Sequence, residues 1–330
     1  MMKYDELEIT PLAAESLGTR SLCTQVVTPD ISILFDPSAA LSKRYNLEPH
    51  PSEYLALKAS LNRIRSKAKE ADILSVSHYH YDHVRPGFEN NIYNLSIKNE
   101  RRDMFSSKNI LAKDNRENIN PSQRRRGFYF EKDVQDIASK IEWADDRSFK
   151  FGDTKVTYSH PLPHGSVTSS LGYVLATLVE YSNFRFMFTP DVQGPVVQDT
   201  LRYILQAAPN LLIVGGPPTY LSAFSDAERE AAKNSLIVLA SSIPILVVDH
   251  HLMRDKHWND LMLPVKKVAN KAGNRVLTMA ELAGRDNTFL EAEREELYRI
   301  NPPSEEFMLW AQATEEYKLS HPVPIPAPDE

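Results

Sequence analysis

The rhythm of apolar and polar positions changes along the chain. Residues 22–28 and 31–35 are two β-rich runs parted by Pro29-Asp30, which predicts a hairpin closed off by Asp36-Pro37. From 52 to 70 the spacing turns helical, with Leu55, Leu57, Leu61, Ile64 and Ala68 on one side. Ser52 reads as its N-cap, with Glu53 in the first turn. A short strand follows at 73–77. The stretch 84–147 is polar, with a short strand at 110–112 and a helix over 121–140 after Pro121. Two further hairpins are predicted, 149–151 with 156–159 around Gly152-Asp153 and 173–181 with 184–188 around Ser182-Asn183. Beyond them, strands at 211–214, 244–248 and 275–278 alternate with helices at 196–207, 225–241 and 257–271, and helices at 289–299 and 305–317 close the chain. Hairpins followed by alternating strands and helices predict an α/β architecture of sheets covered by helices.

Composition narrows the class. The chain is 42% hydrophobic and 25% charged, as in soluble globular proteins. Its apolar runs fall short of the roughly 18 residues of a membrane span, and Met1-Met2-Lys3-Tyr4-Asp5-Glu6 lacks the apolar core of a secretory signal. One cysteine, Cys23, cannot form an internal disulfide, so it reads as a small apolar residue in a cytoplasmic protein. A net charge of −6 argues against a surface built for nucleic acid. The charge is nevertheless uneven. Residues 98–132 carry ten Lys/Arg against five Asp/Glu, and residues 281–330 carry four against twelve. These features predict one domain over 1–330, with a basic insertion at about 84–147 and an acidic helical extension at about 281–330.

Chemistry concentrates at His78-Tyr79-His80-Tyr81-Asp82-His83, directly after the strand 73–77. Three of the ten histidines fall within six residues, beside a carboxylate. Imidazole nitrogen and carboxylate oxygen are the donors that zinc and its neighbours in the first transition row favour. Other predicted strands also end in such groups: one leads to His160-Pro161-Leu162-Pro163-His164, one to Asp191, and one to Asp249-His250-His251. Taken singly, each of these reads as a loop or capping residue. Adjacent residues at a strand end point to opposite faces, so at most one of His250 and His251 is expected in a shared site. Donors gathered at one sheet edge are how α/β folds commonly build sites.

With these residues in view, the chain resembles the metallo-β-lactamase fold superfamily, through H-x-H-x-D-H, a lone His, a lone Asp and a last His, each after a strand. The segments Glu15-Ser16-Leu17-Gly18, Glu117-Asn118-Ile119-Asn120, Ser122-Gln123-Arg124 and Asp249-His250-His251-Leu252 further resemble an uncharacterised archaeal family of metal-dependent hydrolases. The resemblance implies an αββα sandwich of two mixed β-sheets. It implies one metal held by His78, His80 and His164, and a second by Asp82, His83 and His250 or His251. Asp191 would bridge them, and Asp36 would prop the metal loop. Two divalent ions, zinc first and manganese or iron next, would generate hydroxide from water, with Asp82 orienting it or taking its proton. The bridging Asp and the lack of a Cys ligand point away from antibiotic hydrolysis.

Substrate selection is less local. Arg124-Arg125-Arg126, followed by Phe128, Tyr129 and Phe130, suits phosphate oxygens and a stacked base. The competing reading is a solvated basic loop with an apolar strand behind it. Arg254 is a further candidate for facing substrate. Gly215-Gly216-Pro217-Pro218 reads as a strand-to-helix turn without the pattern of a nucleotide P-loop. A phosphoester or phosphodiester, with nucleotides and nucleic acids among the candidates, is the expected anionic substrate. Lactone or thioester hydrolysis, a di-iron oxidoreductase and a non-catalytic nucleic-acid binder with structural metals are the alternatives.

Overall fold

The structure is a computed structural model that describes residues 2–4 and 6–325. Its first sheet contains β1 (Met2–Tyr4), β2 (Leu7–Pro11), β3 (Thr24–Val27), β4 (Ser32–Phe35), β5 (Ile73–Val76), β6 (Asn109–Ala112) and β7 (Lys140–Trp143), paired in chain order. Strands β1 to β4 pair antiparallel, and β4 to β7 pair parallel. The second sheet begins with β8 (Ser148–Phe151) and β9 (Thr154–Tyr158). A small ribbon of β10 (Leu162–Pro163) and β11 (Tyr173–Val174) interrupts it. It resumes with β12 (Thr177–Tyr181), β13 (Phe184–Thr189), β14 (Leu211–Gly215), β15 (Ile245–Asp249) and β16 (Arg275–Leu277), in the order β16-β15-β14-β13-β12-β9-β8. This sheet too has three antiparallel pairings followed by three parallel ones.

Helices cover the outer faces. On the first sheet lie α1 (Pro51–Glu70), α2 (Glu100–Phe105) and α3 (Pro121–Val134). On the second lie α4 (Gln198–Ala207), α5 (Asp226–Ser242) and α6 (Trp258–Ala272), followed by α7 (Met279–Leu282) at the end of β16. The chain closes with α8 (Arg294–Ile300), α9 (Glu305–Gln312) and α10 (Glu315–Ser320). The period-2 geometry of strands assigns each side chain to a layer. Ile33 and Phe35 face the other sheet while Leu34 faces α1, and Phe186 and Phe188 face inward while Met187 faces the second helical layer. Phe35 meets Phe188 at 5.3 Å between ring centroids. Burying a side chain of this size contributes about 1.5–3 kcal/mol. The result is the αββα sandwich of two mixed sheets. Among the described residues no helix is long and apolar enough to cross a membrane.

Several local expectations change. The stretch 84–147, read as an insertion, supplies β6 and β7, which extend the first sheet by parallel pairing beside β5. Its aromatic run 128–130 lies on α3 rather than on a strand, with Phe130 buried and Phe128 and Tyr129 exposed. The run 173–181 is two strands. Between them, the backbone N–H of Leu175 donates to the Ser77 carbonyl at 3.1 Å, which draws the chain toward the first sheet. Helix α1 is capped by His50 rather than Ser52: the Ser52 N–H donates to the His50 ring, and the His50 N–H donates to Glu53. Residues 289–293 stay outside α8 because Phe289 packs on Trp258 and Glu291 turns to Arg20.

The acidic end packs on its own chain. Phe307 and Trp310 bury against Tyr54. Fully buried Arg294 grips Glu53 through two hydrogen bonds of 2.7 and 2.8 Å, and Lys318 pairs with Glu48.

Candidate metal centre

The C-terminal ends of the central strands meet at one edge of the sandwich, and every donor predicted from sequence comes from a segment that reaches it. Asp36 follows β4, the hexapeptide follows β5, His164 follows the short β10, Asp191 follows β13 and His250 follows β15. Three of the turns need unusual backbone. Asp36, Asp191 and His250 have φ of 47°, 43° and 66°, a region that Asp tolerates better than most residues. Gly215 lets the Asp191 loop approach, since a β-carbon there would lie 2.6 Å from the Asp191 nitrogen.

The carboxylate of Asp191 is the hub. Its Oδ2 lies 3.1 Å from Nε2 of His78, 3.9 Å from Nδ1 of His80, 2.9 Å from Nε2 of His164 and 3.4 Å from Nε2 of His83. Its Oδ1 lies 2.9 Å from Nε2 of His250. On one side His78, His80 and His164 gather with Asp191; on the other, Asp82, His83 and His250 gather. His83 and His250 bring their Nε2 atoms to 3.3 Å, and Oδ2 of Asp82 lies 3.8 Å from Nε2 of His250.

The other ring nitrogen of His78, His83 and His250 is tied down. Nδ1 of His83 donates to Asp36 at 2.8 Å, and Nδ1 of His250 donates to Glu15 at 3.0 Å. Ser77 donates its N–H and hydroxyl to Asp36, at 2.8 and 2.6 Å, so its oxygen is left to accept from Nδ1 of His78 at 3.0 Å. With Nδ1 engaged in all three rings, Nε2 is the nitrogen that each turns toward Asp191. This is how imidazoles are prepared for metal.

Electrostatics agree with the geometry. Burial favours the neutral ring and holds His78, His80 and His251 below the usual imidazole range. Burial acts the same way on His83, but Asp191 and Asp36 outweigh it and push the ring well up. At His250, Glu15 and Asp191 overcome burial and raise the pKa to about 9. Burial alone would raise Asp82 and Asp191, yet the surrounding imidazoles hold both well below the carboxylate range. The site therefore attracts positive charge, proton or cation. Buried Oδ1 of Asp191 also lacks a hydrogen-bond partner, as an oxygen reserved for another ligand would. The nitrogen and oxygen donor set suits a divalent metal ion.

Other candidates fall differently. His160 is exposed and lies edge-on to Tyr203, away from the cluster. His250 and His251 belong to a 3-10 turn (His250–Arg254) rather than a strand, so alternation does not separate them. Their rings lie 4.3 Å apart and both approach Asp191, but His250 alone of the two groups with Asp82 and His83. Arg124 and Arg125 are exposed on α3, and Arg124 donates to the Arg116 carbonyl. Arg126 reaches the metal loop, with its guanidinium 4.5 Å from the Tyr81 ring centroid. Arg254, expected to face substrate, is buried and turned onto Glu15 and Asp82. Glu15 was not among the expected site residues; only its place in the Glu15-Ser16-Leu17-Gly18 segment marks it in the sequence.

The two-sheet sandwich, with H-x-H-x-D-H, His164, Asp191 and His250 at one edge, is the arrangement that the resemblance to the metallo-β-lactamase fold superfamily implies. The chain belongs to the UPF0282 family. It is 41% identical over 294 residues to the UPF0282 protein MJ1629 of Methanocaldococcus jannaschii, covering 88% of this chain and 96% of that one. It is 38% identical over 305 residues to the UPF0282 protein of Korarchaeum cryptofilum, covering 92% and 98%. No protein-family model matches the chain. Among solved structures it is similar to Tm1679, a metal-dependent hydrolase of the β-lactamase superfamily, with a TM-score of 0.43, 12% identity and coverage of 82% of this chain and 95% of that one.

Proposed function

We propose that this protein is a metal-dependent hydrolase with a dinuclear centre and that its preferred substrates are phosphoesters or phosphodiesters. The observation that carries the reading is the convergence of donor atoms from separate strand ends on the Asp191 carboxylate. His78, His80 and His164 would hold one ion, Asp82, His83 and His250 the other, and Asp191 would lie between them. Zinc is the first expectation, with manganese and iron next. Such a pair supplies Lewis acidity and lowers the pKa of water toward neutrality.

The protein's own groups do the rest. Asp82, part-exposed beside buried neighbours, orients the attacking water or accepts its proton. Asp36 fixes the orientation of His83 directly and of His78 through Ser77. His80, also part-exposed, is a donor that substrate could reach from solvent. Arg126 on the Tyr81 ring favours an anionic substrate, because its guanidinium lies against the metal loop.

The test is a panel of phosphodiesters, lactones and thioesters, assayed after loading with Zn, Mn or Fe. We expect phosphodiester turnover, lost in His80→Ala and Asp82→Ala while the chain stays folded. Turnover of lactones or thioesters alone would remove the phosphoester assignment. Activity retained in His80→Ala would remove the dinuclear mechanism.

A further inference from the structure

The segment that joins β2 to β3 is buried throughout residues 12–19 and runs beneath the metal edge. Glu15 lies within it, 4% exposed. One carboxylate oxygen accepts the Nδ1–H of His250 at 3.0 Å. The other accepts from Arg254, at 2.7 Å from Nε and 2.6 Å from Nη2. The same Nη2 reaches Oδ2 of Asp82 at 3.4 Å. Thus one carboxylate, directly or through one guanidinium, restrains both the His and the Asp that group with His83.

The restraint is itself anchored. Ser16 donates its N–H to Asp249 at 3.1 Å, and Asp249 also accepts from the backbones of His250 and Met279. The Ser16 hydroxyl accepts from the Ala280 N–H at 2.9 Å. From the other side, the Arg254 carbonyl accepts from Arg44, which pairs with Glu291 at 3.5 Å. Glu291 is gripped in turn by two hydrogen bonds of 2.6 Å from Arg20. The C-terminal segment and the β2–β3 segment together hold the Glu15–Arg254 pair in place.

We propose that Glu15 is the positioning residue of the second metal position, acting on His250 directly and on Asp82 through Arg254. The inference rests on the dinuclear reading of the site. Its chemistry has two parts. An Nδ1–H···carboxylate bond fixes the tautomer that leaves Nε2 of His250 for the metal, aims that nitrogen and makes it electron-rich. The negative charge of Glu15 also neutralises Arg254, whose buried guanidinium would otherwise repel a cation held by Asp82 and His250. Loss of either effect acts on one ion and spares the group of His78, His80 and His164.

The experiment is a chelator-competition titration of the metal-free protein with Zn(II), with elemental analysis of metal per chain, on wild type and Glu15→Gln. Wild type should bind two equivalents. In Glu15→Gln the first should bind as in wild type and the second about 10–100-fold more weakly. A second equivalent indistinguishable from wild type, or both equivalents weakened alike, overturns the assignment. Wild type holding fewer than two ions instead refutes the dinuclear reading, and the inference with it. If Glu15→Gln fails to unfold cooperatively, Glu15→Asp replaces it, since the charge stays but the carboxylate withdraws by one methylene. The second ion should again be weakened, and an unchanged affinity overturns the proposal.

Discussion

Asp36→Ala removes the acceptor on which the metal loop is hung. Asp36 is fully buried, and its carboxylate accepts the N–H and hydroxyl of Ser77 and the Nδ1–H of His83. Alanine leaves the Ser77 N–H and the His83 N–H buried without partners, at about 1–3 kcal/mol each. It also puts a residue with no side-chain acceptor at φ 47°, which costs roughly a further 1–2 kcal/mol. The expected loss is about 3–8 kcal/mol, set against the roughly 5–15 kcal/mol that keeps an ordinary domain folded. Urea unfolding of the metal-free protein, followed by tryptophan fluorescence, should show the midpoint shifted down at unchanged slope. Metal titration of the same variant should show both ions weakened, since His83 loses its anchor and Ser77 no longer holds His78 in register. A loss below about 1 kcal/mol, with wild-type metal affinity, would refute the reasoning, because the hydrogen bonds would then be replaceable by water.

Three further outcomes are expected. Glu291 has its carboxyl held at about 2: burial opposes the charge, but Arg20 foremost, with Arg254 and Arg294, overcomes it. Its contribution, about 3 kcal/mol, is complete above pH 4.5 and disappears as pH falls through 2. The stability gap between wild type and Glu291→Gln should therefore narrow between pH 5 and 2, and a gap independent of pH contradicts this. Gly215→Ala should cost about 1–3 kcal/mol, because its β-carbon meets the backbone of Asp191 rather than a movable side chain; an unchanged Tm argues otherwise. His164→Ala should lose metal and His160→Ala should not, which elemental analysis checks directly.

The candidate site was largely legible because its donors are local signals: a hexapeptide after a strand, and single His or Asp residues where apolar runs stop. The two-layer sheet core was legible for a similar reason, since strands buried on both faces read as short apolar runs. Strands β6 and β7 were harder. Ile110-Leu111-Ala112 is a brief run inside a basic stretch, and Lys140–Trp143 is half-exposed at a sheet edge, so little apolar pattern marks it. The break between Val174 and Thr177 was invisible because every residue there suits a strand; the Ser77 carbonyl across the sandwich decides it.

By itself the sequence determined which residue types stand at the ends of which strands, and so the candidate donors. Only the tertiary structure grouped His250 with Asp82 and His83, turned Arg254 inward and brought Glu15 to the site. Those outcomes depend on contacts between residues 235 and 239 positions apart. Periodicity and local spacing report which face a residue takes on its own element. They carry no information about which carboxylate will meet it from the far end of the chain.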